Sequence, residues 1–341
     1  MTSDQSKLEL FGTDKKGQPV HRIHLSGGGL KASILTWGGV LQDLRLDGHP
    51  PSLVLGFERF SDYLAHSPYF GTTPGRYANR IANGRMTIDG KSYQLDLNEG
   101  GYGHLHGGGD GMGVNTWELV DYGSDYAVLT FTDPDGRGGY PGNCTATTTY
   151  RLKEGGIFSV THETITDQPT PANICHHSYF NLDGGDTILD HRIMIAAEHY
   201  LPVDDKLIPT GEQRSVEKTP FDFREIAPIR RGENGKQVPF DHNFCLSAER
   251  TEKRSIARVE SLASGVSLDV RSTEPGVQFY IGGSLDVPVP GLDGRHYQPF
   301  GGFCLETQIW PDAVNHSNFP KAILRPGDML RQETDYIFAK A

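Results

Sequence analysis

Short runs of alternating apolar and polar residues, each cut off by glycine or proline, constrain this chain more than any other feature. Trp117–Val120, Tyr126–Thr132, Cys144–Leu152 and Ile157–Thr166 follow one another in this way, with DPDGRGGYPGN and KEGG as breakers between them. Side chains on a strand alternate between faces, so these runs read as strands, and meander spacing implies antiparallel sheets. Asp89-Gly90, between Met86-Thr87-Ile88 and Tyr93-Gln94-Leu95, is a hairpin signal, because both central residues of a type I′ turn need positive φ. Further upstream, His21–Leu25 and Ala32–Trp37 are the expected strand cores. Phe60–Tyr69 reads as a short helix capped by Ser61 or Asp62. The end of the chain, ILRPGDMLRQETDYIFA, alternates like a closing strand pair around Pro326-Gly327. The 42 glycines and 21 prolines are spread throughout, which favours an all-β fold of short strands over long helices. No repeat, low-complexity segment or Ser/Gly linker interrupts the 341 residues, so a single domain over 1–341 is expected, with residues 1–10 as a loose tail.

A net charge of −11 repels phosphate backbones and excludes a nucleic-acid partner. No run approaches the roughly 18 apolar residues of a membrane span, and the start lacks the apolar core of a secretory signal. Cys144, Cys175, Cys245 and Cys304 are widely spaced, without a CxxC pair, and read as reduced thiols. A cytoplasmic protein with no membrane partner is the expectation.

The richest polar stretch is GGFCLETQIWPDAVNHSNFP, residues 301–320. Glu306 stands where an apolar strand runs out. Facing water it would be an ordinary strand-edge charge, but burial would raise its pKa and suit it to proton transfer near neutral pH. His104-Leu105-His106 puts two imidazoles on one strand face, a possible metal pair that lacks an evident third ligand. His176 and His177 point to opposite faces, so at most one of them lines a given cleft. Ser178 has no flanking glycine of a nucleophile elbow, and the glycine-rich segments have no following helix that would bind nucleotide. Asp241 with Glu306 could form a glycosidase pair, a question that turns on their separation. Asn79 and Arg80 lie among small residues, from which side chains can reach a shared cleft. Acids, imidazoles, a guanidinium and an amide, with Trp310 as a platform, suit a sugar.

These residues fall within motifs that resemble the aldose 1-epimerase family over about Phe11–Ala339. They are ANRIA (78–82), LHGG (105–108), PDG…GYPGN (134–143), HSYFNL (177–182), YLPVDDKLIPTGE (200–212), TPFDFR, FDHNFCL, PGVQFY and CLETQ..PDAVNH.NFP. The resemblance implies a large antiparallel β-supersandwich that interconverts the α and β anomers of free aldohexoses such as glucose and galactose. It implies Glu306 as general base and His177 as general acid, a carboxylate facing an imidazolium. Arg80 and His106 would hold and polarise the sugar, Asp241 and Gln278 would bind its hydroxyls, and Asn79 is a further candidate beside Arg80. The chemistry needs no cofactor and no metal, and the expected state is a monomer or homodimer with a small sugar as partner. Alternatives on the same fold are a non-catalytic sugar-binding module and a glycoside hydrolase. Having base and acid together argues against a pure binder. His104 and His176 match no functional position, and His176 stands where many relatives carry Asn, a change expected to bear on the bonding around His177. Two segments depart from the family pattern, GDGMGVNTW (109–117) and IGG (281–283). Both are expected where distal hydroxyls are read, so the preferred sugar is left open.

Overall fold

On three neighbouring strands, Phe244, Phe279 and Leu305 turn toward an apolar core while Asn243, Gln278 and Glu306 turn the other way. The chain, seen in a computed structural model, is described over residues 8–233 and 236–341. Those three strands, Asp241–Cys245, Gly276–Tyr280 and Cys304–Gln308, form one side of a five-stranded sheet completed by His199–Tyr200 and Arg214–Ser215. Their apolar faces pack on a nine-stranded sheet whose centre is Val266–Ser272, Leu330–Lys340, Ile157–Thr166 and Cys144–Lys153. Phe158, Val160, Tyr336 and Phe338 meet Phe279 and Leu305 in that core. Each such side chain contributes about 1.5–3 kcal/mol of burial, so the two sheets are held by shared apolar area. A four-stranded sheet, Leu8–Thr13, Pro19–Gly27, Leu30–Leu35 and Val40–Leu46, packs alongside in chain order. Every strand ladder among the described residues is antiparallel.

The meander reads as expected, with strands at Tyr126–Asp133, Cys144–Lys153 and Ile157–Thr166. The hairpin between Arg85–Ile88 and Lys91–Gln94 turns on Asp89 at φ 49° and Gly90 at φ 81°. Four expectations are corrected. Leu8, Glu9 and Leu10 are not tail but edge strand, paired with Ile23, Arg22 and His21, while residues 1–7 lie outside the described residues. The helix is shorter, Phe60–His66, and Arg59 occupies its N-cap without a side-chain cap, so Ser61 and Asp62 lie inside the first turn. The strand expected over Ala32–Trp37 ends at Leu35. The last two strands do not pair with each other: Ile323–Leu324 joins Thr170–Pro171, and Leu330–Lys340 inserts between Ile157–Thr166 and Val266–Ser272.

Candidate active site

The polar face of the five-stranded sheet floors a cleft of about 650 Å³, whose polar end carries Asn79, Arg80, His106, His177, Asp241 and Glu306. Glu306 is there because it alternates with the core-facing Leu305 and Thr307 and is Gln278's direct cross-strand neighbour. His177 arrives from the segment 172–182, which the antiparallel bridge Phe180–Phe303 aligns beside the strand of Glu306. The imidazole Nε2 of His177 ends 3.5 Å from Glu306 Oε1, and the two residues are 4 % and 2 % exposed. His176, the adjacent residue, turns into the core against Phe158 and Tyr336, where its Nε2 meets Ser178 Oγ at 2.8 Å. The opposite-face expectation holds, and His176 makes no hydrogen bond to His177.

His106 enters through a left-handed bend. Its strand, Gly103–Leu105, pairs with Arg80–Ala82 and stops one residue earlier, and His106 at φ 54° and Gly107 at φ 85° swing the ring into the cleft. A Cβ on Gly107 would sit 1.9 Å from the Gly75 carbonyl, so only glycine fits the bend. His106 and Asn79 hold each other: the Asn79 backbone N–H donates to His106 Nδ1 at 3.1 Å, and the His106 N–H donates to the Asn79 carbonyl at 3.0 Å. Asn79 is itself left-handed at φ 62°, and its Oδ1 accepts from the Arg80 N–H at 2.9 Å. Strained, over-determined backbone of this kind clusters at functional sites. His104 does not share the cleft. It is buried, with Nδ1 2.8 Å from the Asp96 carbonyl and Nε2 2.5 Å from the Tyr140 hydroxyl, so the expected pair of imidazoles on one face is broken by the bend.

Arg80 gives Nε and Nη2 to both oxygens of Glu99 at 2.7–3.1 Å, and its Nη1 makes no hydrogen bond among the described residues. Glu99 is a site residue that sequence reasoning missed. The only available signal was an acid ahead of the turn Gly100-Gly101, both with positive φ. Asp241 lines the cleft. Gln278 turns to the same face as its cross-strand neighbour Glu306; it is 3 % exposed, its Nε2 donates to Asp241 Oδ1 at 2.7 Å, and its Oε1 has no hydrogen-bond partner among the described residues. Trp310 is no platform, being buried against Phe319 with its Nε1–H on the Pro275 carbonyl. Tyr69, Tyr179 and Tyr280 line the cleft instead, Tyr69 with its ring centroid 4.6 Å from that of His106. Ile281 and Gly283 also line it, as expected of IGG, whereas no residue of 109–117 does.

Burial, reinforced by the Asp241 carboxylate, pushes the Glu306 carboxyl up to about 8, against a smaller downward pull from Arg80 and Cys175. Burial pushes His177 down to about 4. His106 is also held well below the ordinary imidazole value, by burial first and then by His177 and Arg80. Burial thus favours the neutral forms of both Glu306 and His177, a carboxyl facing an imidazole. Arg80, itself paired with Glu99, pulls Glu306 down by less than burial and Asp241 push it up.

His106, His177 and Glu306 offer ligand atoms within 4.8 Å of one another. The groups do not fit a cation. A neutral His106 that accepts a hydrogen bond at Nδ1 carries its hydrogen on Nε2, whereas a ligating imidazole donates from its other nitrogen. His106 is instead a neutral donor facing the cleft.

The aldose 1-epimerase family model matches residues 21–336. Galactose mutarotase of Rattus norvegicus is 43 % identical over 95 % of this chain and 96 % of its own length. Aldose 1-epimerase of Escherichia coli K12 is 34 % identical over 94 % and 96 %. Among solved structures, an aldose epimerase homologue from C. elegans superposes with a TM-score of 0.88 at 30 % identity, covering 94 % of this chain and 99 % of that one. Galactose 1-epimerase of Lactobacillus acidophilus gives 0.83 at 26 % identity, covering 98 % of each chain. With relatives spanning nearly its whole length and the galactose mutarotase-like sandwich, this chain belongs to the aldose 1-epimerase family.

Proposed function

We propose that this protein interconverts the α and β anomers of free aldohexoses such as glucose and galactose, with Glu306 and His177 exchanging protons with the sugar. The observation that carries this reading is the buried approach of Glu306 Oε1 to His177 Nε2 across the cleft floor. Ring opening removes the O1 proton, protonates the ring oxygen and breaks the C1–O5 bond. Rotation about C1–C2 and reclosure reverse the transfers on the other face. Glu306 as carboxylate takes the O1 proton, and His177 as imidazolium supplies the ring oxygen. Across the half-reaction the pair changes from carboxylate with imidazolium to carboxyl with imidazole, so it binds one proton before and one after. Burial favours the arrangement with that proton on Glu306. A bound hemiacetal, donating from O1 and accepting at its ring oxygen, favours the charged arrangement. The Nε2–H of His106 and the free Nη1 of Arg80 are placed to steady the developing charge and the hydroxyls, with Asp241 as acceptor. No cofactor enters the scheme. Four free thiols, three of them buried, support a reducing compartment, and we place the protein in the cytoplasm as a monomer or homodimer. Among the described residues no helix is long and apolar enough to cross a membrane.

Polarimetry on freshly dissolved pure anomers of glucose, galactose, xylose and arabinose tests the reading. Acceleration of at least one is expected. A spontaneous rate throughout, or release of nitrophenol from aryl glycosides, would overturn it.

The pair holds its one proton between the two titrations. Activity in kcat/KM is therefore expected to be level from about pH 4 to about pH 8. Below this window a second proton removes the base, and above it the loss of the proton removes the acid. A single-sided profile, after subtraction of the spontaneous rate, would contradict a shared proton.

Glu99→Gln keeps shape but drops the charge that fixes Arg80. Losing one charge-assisted partner is expected to raise KM about tenfold and leave kcat within about threefold. A fall in kcat at constant KM would show that Arg80 acts only in the transition state.

A further inference from the structure

Two thiols flank the reacting pair in a crossed arrangement. Cys175 lies two residues before His177, and Cys304 two residues before Glu306. Because the two segments run antiparallel, residues two apart become diagonal neighbours across them. Each thiol therefore meets the reacting group of the other segment. Cys175 Sγ is 3.8 Å from Glu306 Oε2, and Cys304 Sγ is 3.7 Å from His177 Nδ1. Both are within reach of a sulfur hydrogen bond, and both thiols are wholly buried. Neither lines the cleft, and the scheme above uses neither.

The contacts fall on the atoms that the proton exchange leaves idle. Glu306 Oε1 and His177 Nε2 face one another, while Oε2 and Nδ1 point back to sulfur. A carboxyl group with two free oxygens can rotate and present either one, and an unanchored imidazole can flip. We propose that Cys175 and Cys304 are positioning residues for the reaction, each bracing the reacting group of the opposite segment so that only Oε1 and Nε2 face the sugar. This rests on the epimerase reading of the same cleft.

Other groups act on the same atoms. Glu306 faces Asp241, Arg80, His177 and Cys175, with Cys304, Tyr179 and Tyr336 also sensing its charge. His177 faces His106, Tyr69, Tyr179, Glu306 and Cys304, and His176 also senses its charge. The groups other than the two thiols keep their identity when one thiol is replaced, so single substitutions isolate each brace. A thiol that donates to Oε2 favours the carboxylate. Its removal should make the carboxyl easier to protonate, and a hydroxyl, the better donor, should do the opposite.

The experiment measures kcat/KM against pH for Cys175→Ala, Cys175→Ser, Cys304→Ala and Cys304→Ser. In parallel, 13C NMR of δ-labelled glutamate follows the Glu306 carboxyl, identified by its loss in Glu306→Gln. Cys175→Ala is expected to move the alkaline limb and the carboxyl titration up by about half a pH unit, and Cys175→Ser to move both down by about as much, with the acid limb unchanged. The two Cys304 variants should move the acid limb in opposite directions and leave the alkaline limb in place. The proposal is overturned if kcat falls with both limbs at their wild-type positions, or if each thiol moves the limb of its own segment's residue. The carboxyl titration needs no turnover. A wild type without mutarotation would therefore remove the epimerase reading, and the positioning role with it. Unmoved titrations in an active enzyme would remove the thiol proposal alone.

Discussion

Glu306→Gln is expected to lower kcat about 10²- to 10⁴-fold, with the dissociation constant for sugar changed by no more than a few fold. The amide fills the same volume on the cleft floor and can still hydrogen-bond a hydroxyl, but it cannot take up a proton near neutral pH. His177→Asn removes the other half of the exchange and should lose a comparable factor. The two groups share one proton, so the double substitution should cost little more than either single one, as with residues that work as a unit. Polarimetry gives kcat, and calorimetric titration with galactose gives the dissociation constant. Turnover within threefold of wild type for either single variant would remove that residue from the mechanism. Additive losses in the double variant would mean that the groups serve separate steps.

Much of this site is legible in the amino-acid sequence because its determinants are local. Alternation places Glu306 opposite the core-facing Leu305, and Asp89-Gly90 announces its own turn. What escapes depends on partners distant in the chain. Glu99 reaches Arg80 only because Gly103–Leu105 pairs with Arg80–Ala82, and nothing in NEGGYG specifies that pairing. Trp310 looks available from its place in the motif. The chain turns beyond it through Asp312 at φ 56°, and the indole packs with Phe319 in a separate apolar cluster. Pro326-Gly327 has the chemistry of a turn, but turn chemistry does not choose which strands pair across it. The protonation state escapes for a different reason. A glutamate and a histidine in water would hold the proton on the imidazole, and burial together with the Asp241 carboxylate shifts the balance toward the carboxyl.

Just before these site residues, Arg76→Ala is expected to destabilise the fold by about 3–5 kcal/mol, although Arg76 does not line the cleft. The side chain is wholly buried, and its hydrogen bonds engage all three nitrogens. Nε donates to Asp133 Oδ2 at 2.9 Å, Nη1 to the Pro141 and Gly142 carbonyls at 2.8 and 2.9 Å, and Nη2 to the Asp133 carbonyl at 2.9 Å. It thereby ties the loop DPDGRGGYPGN to the segment leading into Asn79 and Arg80. Truncation leaves four carbonyls and the Thr170 hydroxyl without their donor, and Asp133 with only Arg137, whose Nε is 3.4 Å away. Burial already raises the Asp133 pKa, and Arg76 opposes that rise. Without Arg76 the folded-state value rises further above the unfolded one, so the folded variant binds the extra proton more readily and gains stability relative to wild type as pH falls. Urea unfolding at pH 7 and pH 5 checks both parts, and the deficit should narrow at the lower pH. A deficit below about 1 kcal/mol, the scale of one ordinary hydrogen bond, would mean that the guanidinium is a replaceable filler. A deficit identical at the two pH values would trace the loss to packing and carbonyl contacts, with Asp133 playing no part.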